Sequence, residues 1–419
     1  MLDLKQDMRE IIDSAIKAVL PEAAVKEALK REDFLARKQK GRLIVASIGK
    51  AAWRMAKAAS DILGSEISGA VVTKYEHSMG EIKGLEIFEA GHPVLDENTL
   101  KGTHELLKHV KNLNEDDTVL FLVSGGGSAL FELPAEGVTL ADMKDITSQL
   151  LSCGADIVEI NTIRKHLSSV KGGRFAQLCA PAHVFMVVLS DVLGDRLDSI
   201  ASGPAWPDSS TSEEALAIVK KYELKVKPEL MKVLSTETPK KLDNVTAVIT
   251  GSVTALCEAA CEIAKSKGYN PLVLTTTMTC EAREAGSFVA SVAREVKNSG
   301  RPVKAPCAVI VGGETVVHLT GHGMGGRNQE FALAAAENIS GVEGIVIASL
   351  GSDGTDGPTD AAGGIVDGKT AAILKSKGIN ISDVLKENDA YNALKAADAL
   401  LMTGPTGTNV NDVAIALIR

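Results

Sequence analysis

The feature that most constrains this chain is a recurring unit: a short, unbroken apolar run, rich in β-branched residues, that stops abruptly at glycine, serine or aspartate. "RLIVASI" (42–48) leads into Gly49 and Lys50, "TVLFLVS" (118–124) into three glycines, "HVFMVVLS" (183–190) into Asp191, and "GIVIASL" (344–350) into "GSDG". Runs without alternation need cover on both faces, which helix-flanked parallel sheets provide. Similar runs stand at 69–74, 247–250, 271–276, 307–313 and 314–320, with helical stretches between them. The expected fold class is α/β: two α/β domains with mainly parallel, helix-covered sheets and an active-site cleft between them.

A chain of 419 residues exceeds what one core usually organises. Polar stretches, "WPDSSTSEE" and "LSTETPKKLDN", flank a charged helix between 206 and 244 and put a domain boundary near 236. This predicts an N-terminal Rossmann-like domain over 1–236 and a C-terminal α/β domain over 237–419. An amphipathic helix is expected over about 5–32, and a helix at the C-terminus after the polar loop that holds Thr403, Thr406, Thr408 and Asn409.

Charge narrows the partners. A formal net charge of -9 leaves no basic surplus to neutralise phosphates in bulk, so nucleic acid and acidic lipid are excluded as general partners. Any anionic ligand must be met by a few local cations. The six cysteines are scattered without a C-x-x-C pair, as in a reducing compartment. The start "MLDLKQDMRE" lacks a basic n-region and no apolar run is long enough for a membrane span, so a soluble, cytoplasmic protein is expected.

Candidate chemistry sits where the runs end, since open α/β sheets bind ligands beyond the carboxyl ends of their strands. Lys50 falls at a strand-to-helix turn, where the helix dipole opposes a cation unless an anion is bound. Ser124, Gly125, Gly126, Gly127 and Ser128 can aim backbone N–H groups at an anion; a tight turn alone would need fewer glycines. Asp191 and Asp353 stand just past buried strands. "NTIRKHLSSVKGGRFA" adds Arg164, Lys165, Lys171 and Arg174, which suit phosphate or a solvated helix face equally. Arg327 opens a helix after Gly321, Gly323 and Gly326, a match to the dinucleotide fingerprint that lacks the following ribose acid. Gly363, Gly368, Lys369 and Thr370 match the P-loop pattern, but no strand leads directly into them. Separate glycine turns, two cations at helix starts and acids at strand ends are the parts that phosphoryl transfer needs.

The motifs "IGKAAWRMA", "LVSGGGSAL", "NTIRKHLSSVKGGRFA", "LSDVLGD", "SGPAWPD", "GGET", "GGRNQEFAL", "GSDGTDGPTDAAGGIVDG" and "GPTGTNVND" run in order over essentially the whole chain. Together they resemble the glycerate 2-kinase family, whose C-terminal part is the MOFRL domain, here about 305–412. The resemblance implies ATP- and Mg2+-dependent phosphorylation of D-glycerate to 2-phosphoglycerate. It implies that Lys50 and Arg327 bind glycerate and the transferring phosphate, and that Asp191 and Asp353 hold the metal or the substrate hydroxyl. The turn Ser124–Ser128 would cradle the nucleotide, and Lys369 would have no part. An NAD(P)H-dependent hydroxypyruvate reductase using Gly321–Gly326 is the competing enzyme reading, and a non-catalytic nucleotide sensor the blander one. A homodimer is left open.

Overall fold

The computed structural model describes residues 3–37, 40–64 and 66–419. They form two compact units, residues 24–250 and the combination of residues up to 23 with 251–419.

The first unit is built on a six-stranded sheet. Its strands are β1 (Leu43–Ile48), β2 (Ile67–Lys74), β3 (Leu85–Ala90), β4 (Thr118–Val123), β5 (His183–Leu189) and β6 (Val245–Gly251), in the order β3-β2-β1-β4-β5-β6. Pairings from β3 through β5 are parallel, so these strands end on one edge. Strand order runs outward in opposite directions from β1 and β4, which opens a crevice between their carboxyl ends. Residues of β4 and β5 are buried throughout, as their lack of alternation requires. Beneath them Phe121, Phe131 and Phe175 pack with ring centroids 4.6 to 6.1 Å apart, each buried ring stabilising by roughly 2 kcal/mol.

The second unit carries β7 (Asn270–Met278), β8 (Cys307–Gly313), β9 (Ile345–Gly351), β10 (Gly363–Asp367), β11 (Leu400–Leu401) and β12 (Asp412–Ile418), in the order β11-β10-β9-β12-β8-β7. The α/β class holds, but this sheet is mixed: β7 and β8 pair in parallel, while β12 lies antiparallel between β8 and β9. β10 is antiparallel to β9 as well.

Three expectations change here. "DVAIALI" is not the C-terminal helix; all seven residues are buried in the central strand β12. Six apolar residues after Asp412 fit a helix or a fully buried strand, and only pairing on both sides separates the two. The run 314–320 is not a strand. It keeps one bridge, between Val316 and Glu281, and leaves Val316 54% and Leu319 80% exposed. The opening helix is three, Leu4–Ala18, Pro21–Ala28 and Glu32–Leu35, because Pro21 disfavours helical geometry in the residue before it.

Chain division differs from the boundary near 236. β6 joins the first sheet, so the first unit runs to 250. The first helix belongs to the second unit: it buries Met8, Ile11, Ile12 and Ala15, and its Asp7 accepts from Tyr269 Oη at 2.7 Å and Arg419 at 2.8 Å.

Candidate active site

At the crevice of the first sheet, the turns that follow β1 and β4 are joined backbone to backbone. Lys50 N–H donates to Gly125 O at 2.9 Å, and Ser124 N–H to Ile48 O at 3.0 Å. The buried Ser124 hydroxyl accepts from Ala51 N–H at 3.0 Å and donates to Ile48 O at 3.3 Å, so it holds the two turns together. Gly126 has φ +82°, a left-handed conformation that glycine adopts without strain. Among the described residues the N–H groups of Gly125 and Gly126 have no acceptor, and the Lys50 ammonium has no ion-pair partner. Asp191, just past β5, lays its carboxylate on the same turn: a Cβ placed on Gly125 would fall 2.1 Å from Asp191 Oδ2. Ser128 Oγ lies 2.9 Å from Ser202 Oγ, which donates to Asn161 Oδ1 at 3.4 Å. The structure therefore gathers Lys50, Ser124–Ser128 and Asp191 into one place with donors, a cation and a carboxylate.

The basic run 164–174 divides. Lys165 is buried against Asp208 at 2.9 Å, and Lys171 is wholly buried against Glu132, which also accepts from Ser168 Oγ. Arg174 donates to Lys165 O at 2.6 Å. Those three are structural, neither a phosphate contact nor a solvated face. Arg164 is half-buried, and that burial lowers its pKa.

In the second unit the charged residues collect at one end of the mixed sheet. Because β12 is antiparallel, Asp412 at its start pairs with Gly313 and Gly351 at the ends of β8 and β9. Glu314 follows β8 and Asp353 follows β9. Arg327, first residue of the helix Arg327–Asn338, reaches into this end. Its Nε and Nη2 meet the two oxygens of Asp412, at 2.5 and 3.0 Å, and Nη1 meets Glu314 at 2.9 Å. Burial works against the guanidinium charge, but Asp412, Glu314 and Asp356 outweigh it and hold its pKa above the ordinary value. Asp356 is buried beneath the helix start and accepts from Gln329 N–H at 2.8 Å and Asn328 N–H at 3.2 Å. Burial pushes its pKa up to about 7. Asp353 is half-buried; its Oδ1 accepts from Thr355 N–H at 3.0 Å, an Asx turn. Its Oδ1 and that of Asp412 flank Gly351, 3.3 and 3.6 Å from where a Cβ would stand.

Sequence pattern does not single out Glu314 and Asp412 as site candidates: Glu314 of "GGET" opens an expected strand and Asp412 of "NVND" an expected helix. Once β8 is seen to end at Gly313, Glu314 satisfies the rule that picked Asp353.

The two phosphate-loop patterns come apart. Around Gly321–Gly326 the backbone donors are already used: Gly321 N–H donates to Asn388 Oδ1 at 2.9 Å, Gly323 N–H to Glu387 O at 2.8 Å and Met324 N–H to Asp389 Oδ1 at 2.9 Å. No strand leads into that loop. Gly363 and Gly364 lie within β10, Ile365 and Val366 are buried, and Lys369 is exposed. Thr406 and Thr408 hydroxyls donate to Ser352 O at 2.6 Å and Val19 O at 2.9 Å, so they tie loops together.

Unsatisfied N–H groups, an unpaired lysine and a carboxylate at the switch point of an open parallel sheet define an α/β enzyme that handles phosphate or carboxylate. Residues 7–235 match the family model described as a domain of unknown function, DUF4147, and residues 307–412 match that of the MOFRL family. The chain is 58% identical to D-glycerate 2-kinase of Thermotoga maritima over 99% of this chain and 98% of that one. It is 40% identical to a provisionally named hydroxypyruvate reductase of Agrobacterium vitis, over 90% of this chain and all of the other. A crystal structure of glycerate kinase from Thermotoga maritima superposes with a TM-score of 0.95 at 57% identity, covering 99% of both chains. The chain belongs to the glycerate 2-kinase family, with the MOFRL domain as its C-terminal part.

Proposed function

We propose that the protein is a D-glycerate 2-kinase that transfers the γ-phosphoryl group of ATP to the 2-hydroxyl of D-glycerate. The observation that carries the chemistry is the unpaired Lys50 beside the glycine turn, whose Gly125 and Gly126 N–H groups are open, with Asp191 on the same turn. Such a transfer needs little covalent help, and mainly positioning and charge stabilisation. In this reading Gly125–Ser128 receive an anionic group, Lys50 offsets charge developing on the transferred phosphoryl, and Ser124 keeps the turn in shape. Asp191 or Asp353 orients the substrate hydroxyl and accepts its proton. Arg327, fixed by Asp412 and Glu314, acts as an oriented cation with N–H groups left for substrate oxygen.

The donor set suits Mg2+. Among the described residues no three acids, histidines or cysteines form a metal cage, and Mg2+ bound with a nucleotide takes one or two carboxylates, phosphate oxygens and water. Asp191, on the Gly125 turn, would hold it, and when bound it would neutralise phosphate charge. No helix among the described residues is long and apolar enough to cross a membrane, and the six cysteines are free thiols, which supports a cytoplasmic setting. Two relatives' names favour hydroxypyruvate reduction, but in the loop that a nicotinamide cofactor would use the N–H groups of Gly321, Gly323 and Met324 already have acceptors. A coupled assay with D-glycerate, ATP and Mg2+, its product identified by phosphorus NMR, should yield 2-phosphoglycerate. NADH oxidation by hydroxypyruvate with no ADP formed from glycerate would overturn the kinase reading.

A further inference from the structure

His92 lies in "AGHPV", a stretch that no motif argument used. It follows β3, and the structure brings it onto the glycine turn: a Cβ placed on Gly126 would fall 2.9 Å from His92 Cδ2, 3.0 Å from Nε2 and 3.2 Å from Lys50 Cγ. The imidazole and the lysine stem thus cover the same bare peptide, whose N–H has no acceptor. His92 is half-buried, makes no hydrogen bond among the described residues, and the charged groups that bear on it are Lys50, Lys74 and His77. Lys50 and Lys74 have no ion-pair partner among the described residues either. His77 Nδ1–H donates to Lys50 O at 3.0 Å, so that ring is committed to the turn. Burial first, then Lys50 and Lys74, hold His92 below its ordinary pKa, which favours the neutral ring with one N–H to give. The Lys50 stem, a ring donor and the open Gly126 N–H meet at one peptide, beside the Asp191 carboxylate on Gly125, and suit an anionic oxygen.

We propose that His92 is a substrate-contacting residue: its ring N–H donates to an oxyanion seated over Gly126, shared with Lys50 and the Gly126 N–H. The shared chemistry is a phosphate or carboxylate oxygen, and the two substrates of the proposed reaction are its sources. Its place in a kinase rests on that reading; the anion contact itself does not. The test uses the full chain with His92→Phe, which keeps the ring and removes the donor, and His92→Gln, which restores a donor. For His92→Phe, tripolyphosphate affinity by calorimetry should fall roughly tenfold with an unchanged melting temperature, and kcat/KM roughly ten- to hundredfold. His92→Gln should recover most of both. A rise confined to the KM for ATP assigns the anion to the nucleotide, and one confined to the KM for glycerate assigns it to the carboxylate. If His92→Phe binds tripolyphosphate and turns over like the unmodified protein, or if Gln is as defective as Phe, the proposal is wrong. An unmodified protein that binds tripolyphosphate but does not phosphorylate glycerate would remove the kinase reading and leave the His92 contact standing.

Discussion

Arg327 and Asp412 form a pair whose charges burial opposes: Asp412 helps hold Arg327 above its ordinary pKa, while burial pushes the Asp412 carboxyl up although Arg327 pulls it down. Breaking one side of such a pair leaves the remaining charge uncompensated. Asp412→Asn should therefore lower kcat by roughly ten- to hundredfold while the melting temperature drops only modestly, since Glu314 still holds Nη1; steady-state kinetics beside calorimetry checks this. Lys50→Ala should cut kcat/KM by about a hundredfold or more, and Lys369→Ala should stay within about twofold, because Lys369 is exposed on the start of a short helix. Asp356 gives a pH signature. Its folded pKa of about 7 exceeds the ordinary 3.8, so between those values the folded state keeps a proton that the unfolded chain has released. This contribution to stability is fully present at low pH, declines as pH rises through that window and is flat above it. The melting temperature of Asp356→Asn should then fall less than that of the unmodified protein between about pH 5 and about pH 8.

Among the elements, the turn Ser124–Ser128 matters most, and its last glycine has a steric reason. A Cβ placed on Gly127 would stand 2.7 Å from the Cβ of Ala201, which lies in the segment 199–203 with φ +51°. Gly127→Ala should lower the melting temperature and the activity together, and Ala201→Gly in the same chain should restore much of both, since glycine also suits that positive φ. Thermal denaturation and turnover of the single and double variants decide it. The same turn was legible beforehand as an anion cradle, because three glycines after a buried strand exceed what a turn demands. That Ser124 serves as a brace was not legible. Its partners, Ile48 at the end of β1 and Ala51 at the start of the helix after it, come from another strand–turn unit, and a hydroxyl's direction is decided by what lies across the crevice. The run 314–320 shows the opposite failure: its β-branched residues favour extended structure, but no neighbouring strand is present to pair with them beyond Val316.

For the whole molecule, the first helix is the most informative piece, because it belongs to the unit formed by 251–419. Its apolar face buries Met8, Ile11 and Ile12, and Asp7 joins Tyr269, Lys267 and Arg419. Removing residues 1–20 should destabilise that unit and increase its proteolysis, while fragments from 24–250 persist longer; limited proteolysis with mass spectrometry reads this out. The expected boundary near 236 was drawn from a polar stretch, which is where composition changes. Contacts place the division at 250, because β6 comes after that stretch and completes the first sheet.

What this sequence determined by itself was local: which runs are buried on both faces, where each ends, and which donors, cations and acids stand at those ends. That sufficed for the α/β class, for the switch-point turn with Lys50 and Asp191, and for the family, because strand burial and turn chemistry are written in neighbouring residues. Pairing decided the rest. The direction of β12 between β8 and β9, the seating of Asp412 and Glu314 on Arg327, and the approach of His92 to Gly126 join residues far apart in the chain, and no periodicity records a contact of that kind.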